Sequence, residues 1–194
     1  MIASLQGTLE SLGSDWAIIN ANGIGLQVYM PTTTLSTLGA TGKEVHLHTH
    51  LILREDGVTL YGFASIEELQ LFQILIGVSG LGPKLALATL SAMSVEQASI
   101  AIATGSVDLL TVVPGIGKKM AERLIVELKD KIGAGLIATP AAQFIQENAD
   151  VLAALTSLGY SVSEASRAVA SLPPSPDLSL EEKVRLALQY LATK

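Results

Sequence analysis

The sequence contains no cysteine. That excludes disulfide staples and cysteine-type zinc sites, and it fits a reducing cytoplasm. No run of about 18 or more apolar residues is free of charges and turn signals, so no membrane span is expected. The opening Met1-Ile2-Ala3-Ser4 lacks the basic segment of a signal peptide. A basic excess is missing as well: the formal net charge is −6. This excludes a protein coated in positive charge and counts against nucleic acid until the charge is mapped locally. Aromatic residues make up only 4%, and Trp16 and Tyr29 do not cluster. They read as core or subunit-interface residues rather than as a base-stacking surface.

Apolar residues, by contrast, are plentiful. At 49% hydrophobic over 194 residues, the chain has enough side chain for buried cores, which argues against disorder. The length suits one ordinary domain or two to three small ones. Small domains bury a lesser share of their surface and gain from packing together or oligomerising.

Alternation and β-branched residues mark five strand-like stretches at 2–10, 15–20, 24–30, 45–53 and 58–63. Gly13, Asn22-Gly23, Gly39, Gly42 and Asp56-Gly57 punctuate them, and Asp56-Gly57 predicts a type I′ hairpin turn. Five short strands suit a small barrel, of which the OB-fold is the five-stranded form. After Ala64 the period becomes helical. Ser65 with Glu68 forms a capping-box pattern that opens a helix over 66–77. Further helices are predicted at about 83–91, 95–103, 106–112 and 118–131. Gly135, Thr139 and Pro140 then weaken the pattern, and 135–147 reads as a flexible linker. Short helices at 148–158, 163–171 and 179–192 complete the chain, the last two separated by Pro173-Pro174-Ser175-Pro176. The reading is an α+β multidomain protein: a barrel over 1–63, an all-α region over 64–134, the linker, and a small three-helix unit over 148–194.

An internal repeat is the most informative feature. Leu75, Val78, Gly80, Gly82, Lys84 and Ala86 recur 35 residues later as Leu110, Val113, Gly115, Gly117, Lys119 and Ala121, while Leu81 and Leu85 become Ile116 and Met120. Each copy reads helix, Gly-apolar-Gly, then a helix opening with lysine. The first glycine can take the positive φ of a tight hairpin, and the second lets another backbone approach closely. Free N–H groups at the following helix N-terminus favour an anion. Leu81 and Ile116 anchor the loops in the core. Lys84 and Lys119 sit in a first turn, where the helix dipole disfavours a cation, and repeating that departure points to a bound anion. The competing reading is a pair of plain helix hairpins with glycine turns. Neither copy matches G-x-x-x-x-G-K-[ST] or follows a strand in a βαβ unit, so ATP binding through them is not expected.

Two anion sites held in one rigid unit would track neighbouring phosphates of a duplex without reading bases. The local charge agrees: Lys118, Lys119, Arg123, Lys129 and Lys131 cluster, partly offset by Glu122, Glu127 and Asp130. Contacts through backbone amides need fewer basic side chains, so a net-negative chain can still bind DNA, with a shallow salt dependence.

Gly80-Leu81-Gly82-Pro83-Lys84 and Pro114-Gly115-Ile116-Gly117-Lys118-Lys119 resemble the tandem helix-hairpin-helix motifs of the RuvA family of Holliday-junction-binding subunits. The likeness extends to Leu90–Ser94, Ala121–Asp130, the Arg54-Glu55-Asp56 turn with Leu60–Phe63, and Leu158-Gly159-Tyr160 with Glu164–Arg167, in order along the chain. The resemblance implies an N-terminal OB-fold that builds a homotetramer, alone or as two stacked tetramers. It implies a tandem helix-hairpin-helix domain on four-way junction DNA, and a UBA-like three-helix domain that docks the AAA+ ATPase RuvB. The junction resolvase RuvC is a further expected partner, and the expected setting is recombination, repair and the SOS response in the bacterial cytoplasm. No cofactor or metal is expected.

In that family Glu55 and Asp56 would form an acidic pin at the junction centre. Carboxylates aimed at phosphates repel them, so their use would be to keep strands apart. The bland alternative is a solvated Asp-Gly turn. His46, His48 and His50 share one strand face and could hold zinc. No fourth ligand accompanies them, and they read as a solvated face, with only His50 matching the family and placed near DNA. Leu155, Leu158 and Tyr160 form an apolar edge that serves as core of a small domain or as contacts for the ATPase.

Three function classes follow. The first is a junction-binding scaffold without catalysis. The second is a duplex-binding subunit of a nuclease or ligase-type enzyme, against which stand the lack of a convergent acidic cluster, of a nucleophile–base pair and of an adenylation-type lysine motif. The third is a protein-binding helical adaptor, against which stand the paired lysines.

Overall fold

The computed structural model describes residues 2–55, 57–103, 105–133, 148–161, 164–165, 168–169, 171–172 and 178–192. The predicted linker, Asp56 and Pro173–Pro176 lie outside the described residues. The chain divides into two compact units, Met1–Val95 with Val112–Ile116, and Glu96–Thr111 with Gly117–Lys194.

In the first unit five strands close into a barrel: β1 (Ser4–Leu12), β2 (Trp16–Ala21), β3 (Ile24–Tyr29), β4 (Glu44–Arg54) and β5 (Gly57–Phe63), in the order β1-β2-β3-β5-β4. Only β3 and β5 run parallel among the paired strands, and their pairing closes the barrel. Period-two alternation turns Leu5, Leu9, Ala17, Ile19, Val28, Val45, Leu47 and Leu60 into a single core. This is the OB-type barrel that the strand pattern predicts.

The turn chemistry falls differently from the prediction. Ala21 pairs with Ile24, and both intervening residues have positive φ, 53° at Asn22 and 91° at Gly23. This is the type I′ arrangement. Between β4 and β5 it is Arg54 that pairs with Gly57. The two-residue connection is therefore Glu55-Asp56, and Gly57 opens β5 instead of sitting inside the turn.

A short helix, α1 (Thr32–Thr37), interrupts the barrel where no helix is predicted. Four threonines and no side-chain cap make it a poor helix locally. It is held from outside. The Thr32 N–H donates to Ser91 Oγ (3.0 Å), Thr33 Oγ1 donates to the Leu90 carbonyl (3.1 Å), and Thr34 Oγ1 donates to Glu68 Oε2 (2.9 Å).

Two helices complete this unit, α2 (Ile66–Ile76) and α3 (Pro83–Ala92). Ser65 caps α2 as predicted, its hydroxyl accepting from the Glu68 N–H at 3.2 Å. The Glu68 carboxylate reaches back to the N–H of Ala64. α2 packs on the barrel through Phe72, whose ring lies 4.9 Å from Phe63, 5.0 Å from Tyr61 and 5.8 Å from His50, centre to centre.

In the second unit α4 (Val95–Ala103), α5 (Val107–Thr111) and α6 (Lys118–Gly133) turn Ala98, Ala101, Ile102, Leu110, Ala121, Leu124 and Leu128 inward, each essentially inaccessible. The spacing Ala121, Leu124, Leu128 is one apolar stripe of α6. Towards the C-terminus α7 (Ala149–Ser157) and α8 (Leu180–Ala192) share a core of Val151, Leu152, Leu155, Ala165, Ala168, Val169, Leu172 and Ala187. Ala165, Ala168 and Val169 come from the predicted middle helix, several residues of which lie outside the described set. Ser161 with Glu164, and Ser179 with Glu182, each exchange hydrogen bonds as full capping boxes. No single helix among the described residues is long and apolar enough to cross a membrane.

Candidate nucleic-acid interface

The two repeat copies fold alike. In the first, the Leu81 N–H donates to the Val78 carbonyl at 3.0 Å, and Gly80 takes φ 85° at the third position of that turn. In the second, the Ile116 N–H donates to the Val113 carbonyl at 3.0 Å, with Gly115 at φ 92°. Positive φ at that position requires glycine or a residue that tolerates strain. Leu81 and Ile116 are buried, at 3% and 4% exposure, so each apolar residue pins its loop as the pattern predicts. The Gly82 carbonyl accepts from Leu85 and Ala86, and the Gly117 carbonyl accepts from Met120 and Ala121. Both second glycines thus open a helix whose first N–H groups lack intrahelical partners.

The second glycines bear on the expected close approach of another backbone. No atom of the described chain lies within 4 Å of where a Cβ would sit on Gly82 or Gly117, and neither has positive φ. Nothing inside the protein approaches closely there. Both glycines are exposed, and the space beside each is open.

The surroundings of the two copies differ. Gly117, Lys118, Lys119, Met120 and Arg123 line a shallow concavity of about 450 Å³, three of the five being cations. Lys84, also exposed, lines a larger cleft of about 580 Å³ shared with Asp15, Tyr29, Thr59, Tyr61 and Ser91. Pro83 stands at the first position of α3, which favours the helix but removes an N–H that Lys118 retains.

Tyr29 is not isolated, contrary to expectation. It pairs in register with Trp16 across β2–β3 and with Tyr61 across β3–β5, its ring centre 6.3 Å from that of Tyr61. Separation in sequence hid the cluster, because strand pairing brings Tyr29, Tyr61 and Phe72 together. His50 shares the outward face of β4 with His46 and His48, but α2 covers that face at His50. Its ring packs edge-on against Phe72, and its Nδ1 lies 3.2 Å from Gln73 Nε2. Burial there pushes its pKa below the usual histidine value. His46 and His48 stack edge to face on the barrel surface. No group of three or more His, Asp or Glu suited to a metal occurs among the described residues.

Glu55 is exposed at the end of the β4–β5 ribbon, and Asp56 lies outside the described residues. In the C-terminal core Leu155 is fully buried. It takes the core position of the two expected for it, within the cluster of Val151, Leu152 and Val169. Leu158 is 60% exposed, beside the left-handed Gly159 and the half-buried Tyr160.

Comparison with known proteins matches this architecture along its length. The models of the RuvA N-terminal domain, the SAM-like helix-hairpin-helix tandem and the RuvA C-terminal domain match residues 1–62, 72–130 and 146–192. The chain is 51% identical to a protein of Dehalococcoides mccartyi over 194 residues, covering all of both chains. The chain belongs to the RuvA family. A Chloroflexus aggregans relative is 46% identical over all of both chains, and a Pseudomonas aeruginosa relative 43% identical over 97% of this chain and 98% of its own. All three carry the name Holliday junction branch migration complex subunit RuvA.

Proposed function

We propose that this chain binds four-way DNA junctions by their phosphates, without reading base sequence and without catalysis of its own. The observation that carries the reading is the pair of open second glycines. Gly82 and Gly117 have neither a backbone conformation nor an internal contact that requires glycine, yet both copies have it. A DNA backbone meeting the N–H groups of a helix start accounts for that, because a Cβ would hold the phosphate away. Lys84, Lys118, Lys119 and Arg123 add the charge, while Gly80, Leu81, Gly115 and Ile116 hold the loops in shape. Glu55 and Asp56 oppose the approach of phosphates and keep the strands of the arms apart.

Phosphate contacts alone suit any duplex. Preference for four arms comes from symmetry: a homotetramer, single or stacked in two layers, presents the paired hairpins once per arm. The names of the relatives, subunits of a branch migration complex, support a motor partner. The C-terminal unit recruits the AAA+ ATPase RuvB through the exposed Leu158 and the adjoining Tyr160, and RuvC acts on the junction so held. The setting is the bacterial cytoplasm.

The test is a competition gel shift between a four-way junction and linear duplex of equal length, without magnesium, ATP or another protein. Strong preference for the junction is expected. Equal affinity would reduce the hairpins to a general duplex clamp, such as a nuclease or ligase subunit carries, and would overturn the proposal.

A further inference from the structure

The β4–β5 ribbon carries an apolar pair that the barrel core does not use. β1 holds β4 from Glu44 to His48, and β3 meets β5 at Leu60 and Tyr61. Beyond Thr49 on one strand and before Leu60 on the other, the described residues of the two strands pair with each other alone. Leu51 opposite Leu60 still packs at the core. Two residues further out, on the same face, Leu53 opposes Val58, and these are exposed at 76% and 63%. The core-facing stripe of the ribbon therefore runs out of the barrel and ends uncovered, next to Glu55.

We infer that Leu53 and Val58 form an apolar wedge that covers the face of a base at the point of strand exchange. The inference rests on the junction-binding reading above. One observation, the exposed carboxylate of Glu55 beside the pair, and two general arguments select a base as the occupant. The carboxylate of Glu55 and that of its neighbour Asp56 repel phosphates, so a surface beside them meets the uncharged part of DNA. Bases lose a stacking neighbour where strands exchange between arms, which leaves apolar faces open to water. Aliphatic side chains on protruding elements insert at such steps in other DNA-bending proteins. Two side chains are also far too little for a stable protein–protein interface, which buries about 1,200–2,000 Å², but they suffice to cover one base. The carboxylates then hold the backbones apart while Leu53 and Val58 stabilise the opened bases between them.

The experiment uses the full-length protein and a junction with 2-aminopurine at the exchange point. Binding of the native protein is expected to raise the fluorescence as the base unstacks. Leu53→Thr/Val58→Thr keeps β-branched or strand-compatible side chains while removing most of the apolar surface. It is expected to halve that rise and to weaken junction binding several-fold. Leu53→Met/Val58→Ile, which keeps the surface apolar, is expected to retain the rise. An undiminished rise in the threonine pair, or its loss in the apolar pair, overturns the wedge. So does a change of oligomeric mass by light scattering in the threonine pair, which would make these residues a subunit contact. If the native protein shows no preference for the junction over duplex, the underlying reading fails; if it does and the threonine pair behaves as native, only the wedge fails.

Discussion

The two hairpins share one fold and differ in what surrounds them. The first leaves α2, whose Phe72 and Gln73 are fastened to the barrel at Tyr61, Phe63 and His50. Its lysine shares a cleft with the carboxylate of Asp15, and Pro83 removes one N–H. The second has Lys118 where the first has Pro83, and its helix end is surrounded by Lys118, Lys119 and Arg123. It also exposes Val112, at 69%, where the first copy has Gly77. Duplication has thus preserved the turn and let the electrostatics diverge: one copy is better anchored, the other better charged.

The largest expected effect sharpens the charge contrast. Lys118→Ala/Lys119→Ala should weaken DNA binding by about one to two orders of magnitude and lower the salt slope by about two. Lys84→Ala should cost about threefold to tenfold and at most about one in slope. Fluorescence anisotropy across a salt series measures both, and equal losses from the two would erase the distinction. Next in size are the turn glycines. Gly115→Ala places a Cβ 3.1 Å from Leu85 Cδ1 in a positive-φ residue, so a stability loss of about 1–2 kcal/mol is expected in urea unfolding. Gly80→Ala carries the penalty of a φ of 85° and should lose about 1 kcal/mol.

The second glycines should separate binding from stability. Gly82→Ala and Gly117→Ala should change unfolding free energy by less than about 1 kcal/mol, since helix-cap loss and reduced unfolded-state entropy oppose each other. Both should nonetheless bind DNA more weakly. Unimpaired binding would mean that no backbone approaches there.

The smallest effect concerns the anchoring of the first hairpin. Burial depresses the pKa of His50, so the unfolded chain takes up a proton more readily than the folded one. Stability from this group is intact above about pH 6.5, the ordinary histidine value, and is lost as pH falls through the depressed folded value. His50→Gln should therefore flatten the decline in Tm on acidification from neutral pH. An unchanged pH profile would show that His50 does not couple to folding.

Local signals carried much of this architecture. The strands of the barrel were legible because alternation of Leu5, Leu9, Ile19 and Leu47 with polar neighbours is a direct imprint of a two-faced strand. The hairpins were legible because the repeat doubles an otherwise weak glycine signal. The short helix α1 was not, since four threonines favour no helix and its hydrogen bonds come from Glu68, Leu90 and Ser91. Nor was the burial of Leu155: an apolar residue beside a glycine turn reads equally as core or as contact until its neighbours are placed.

The sequence by itself determined the order of elements, the two anchored glycine turns and the concentration of cations at the second, because each depends on residues close in the chain. Only the tertiary structure decided that Tyr29, Tyr61, Phe72 and His50 form one cluster. It alone showed that Gly82 and Gly117 face open space, and that Leu53 and Val58 run beyond the barrel. Those facts depend on strand register and closure, which join residues that no local pattern relates.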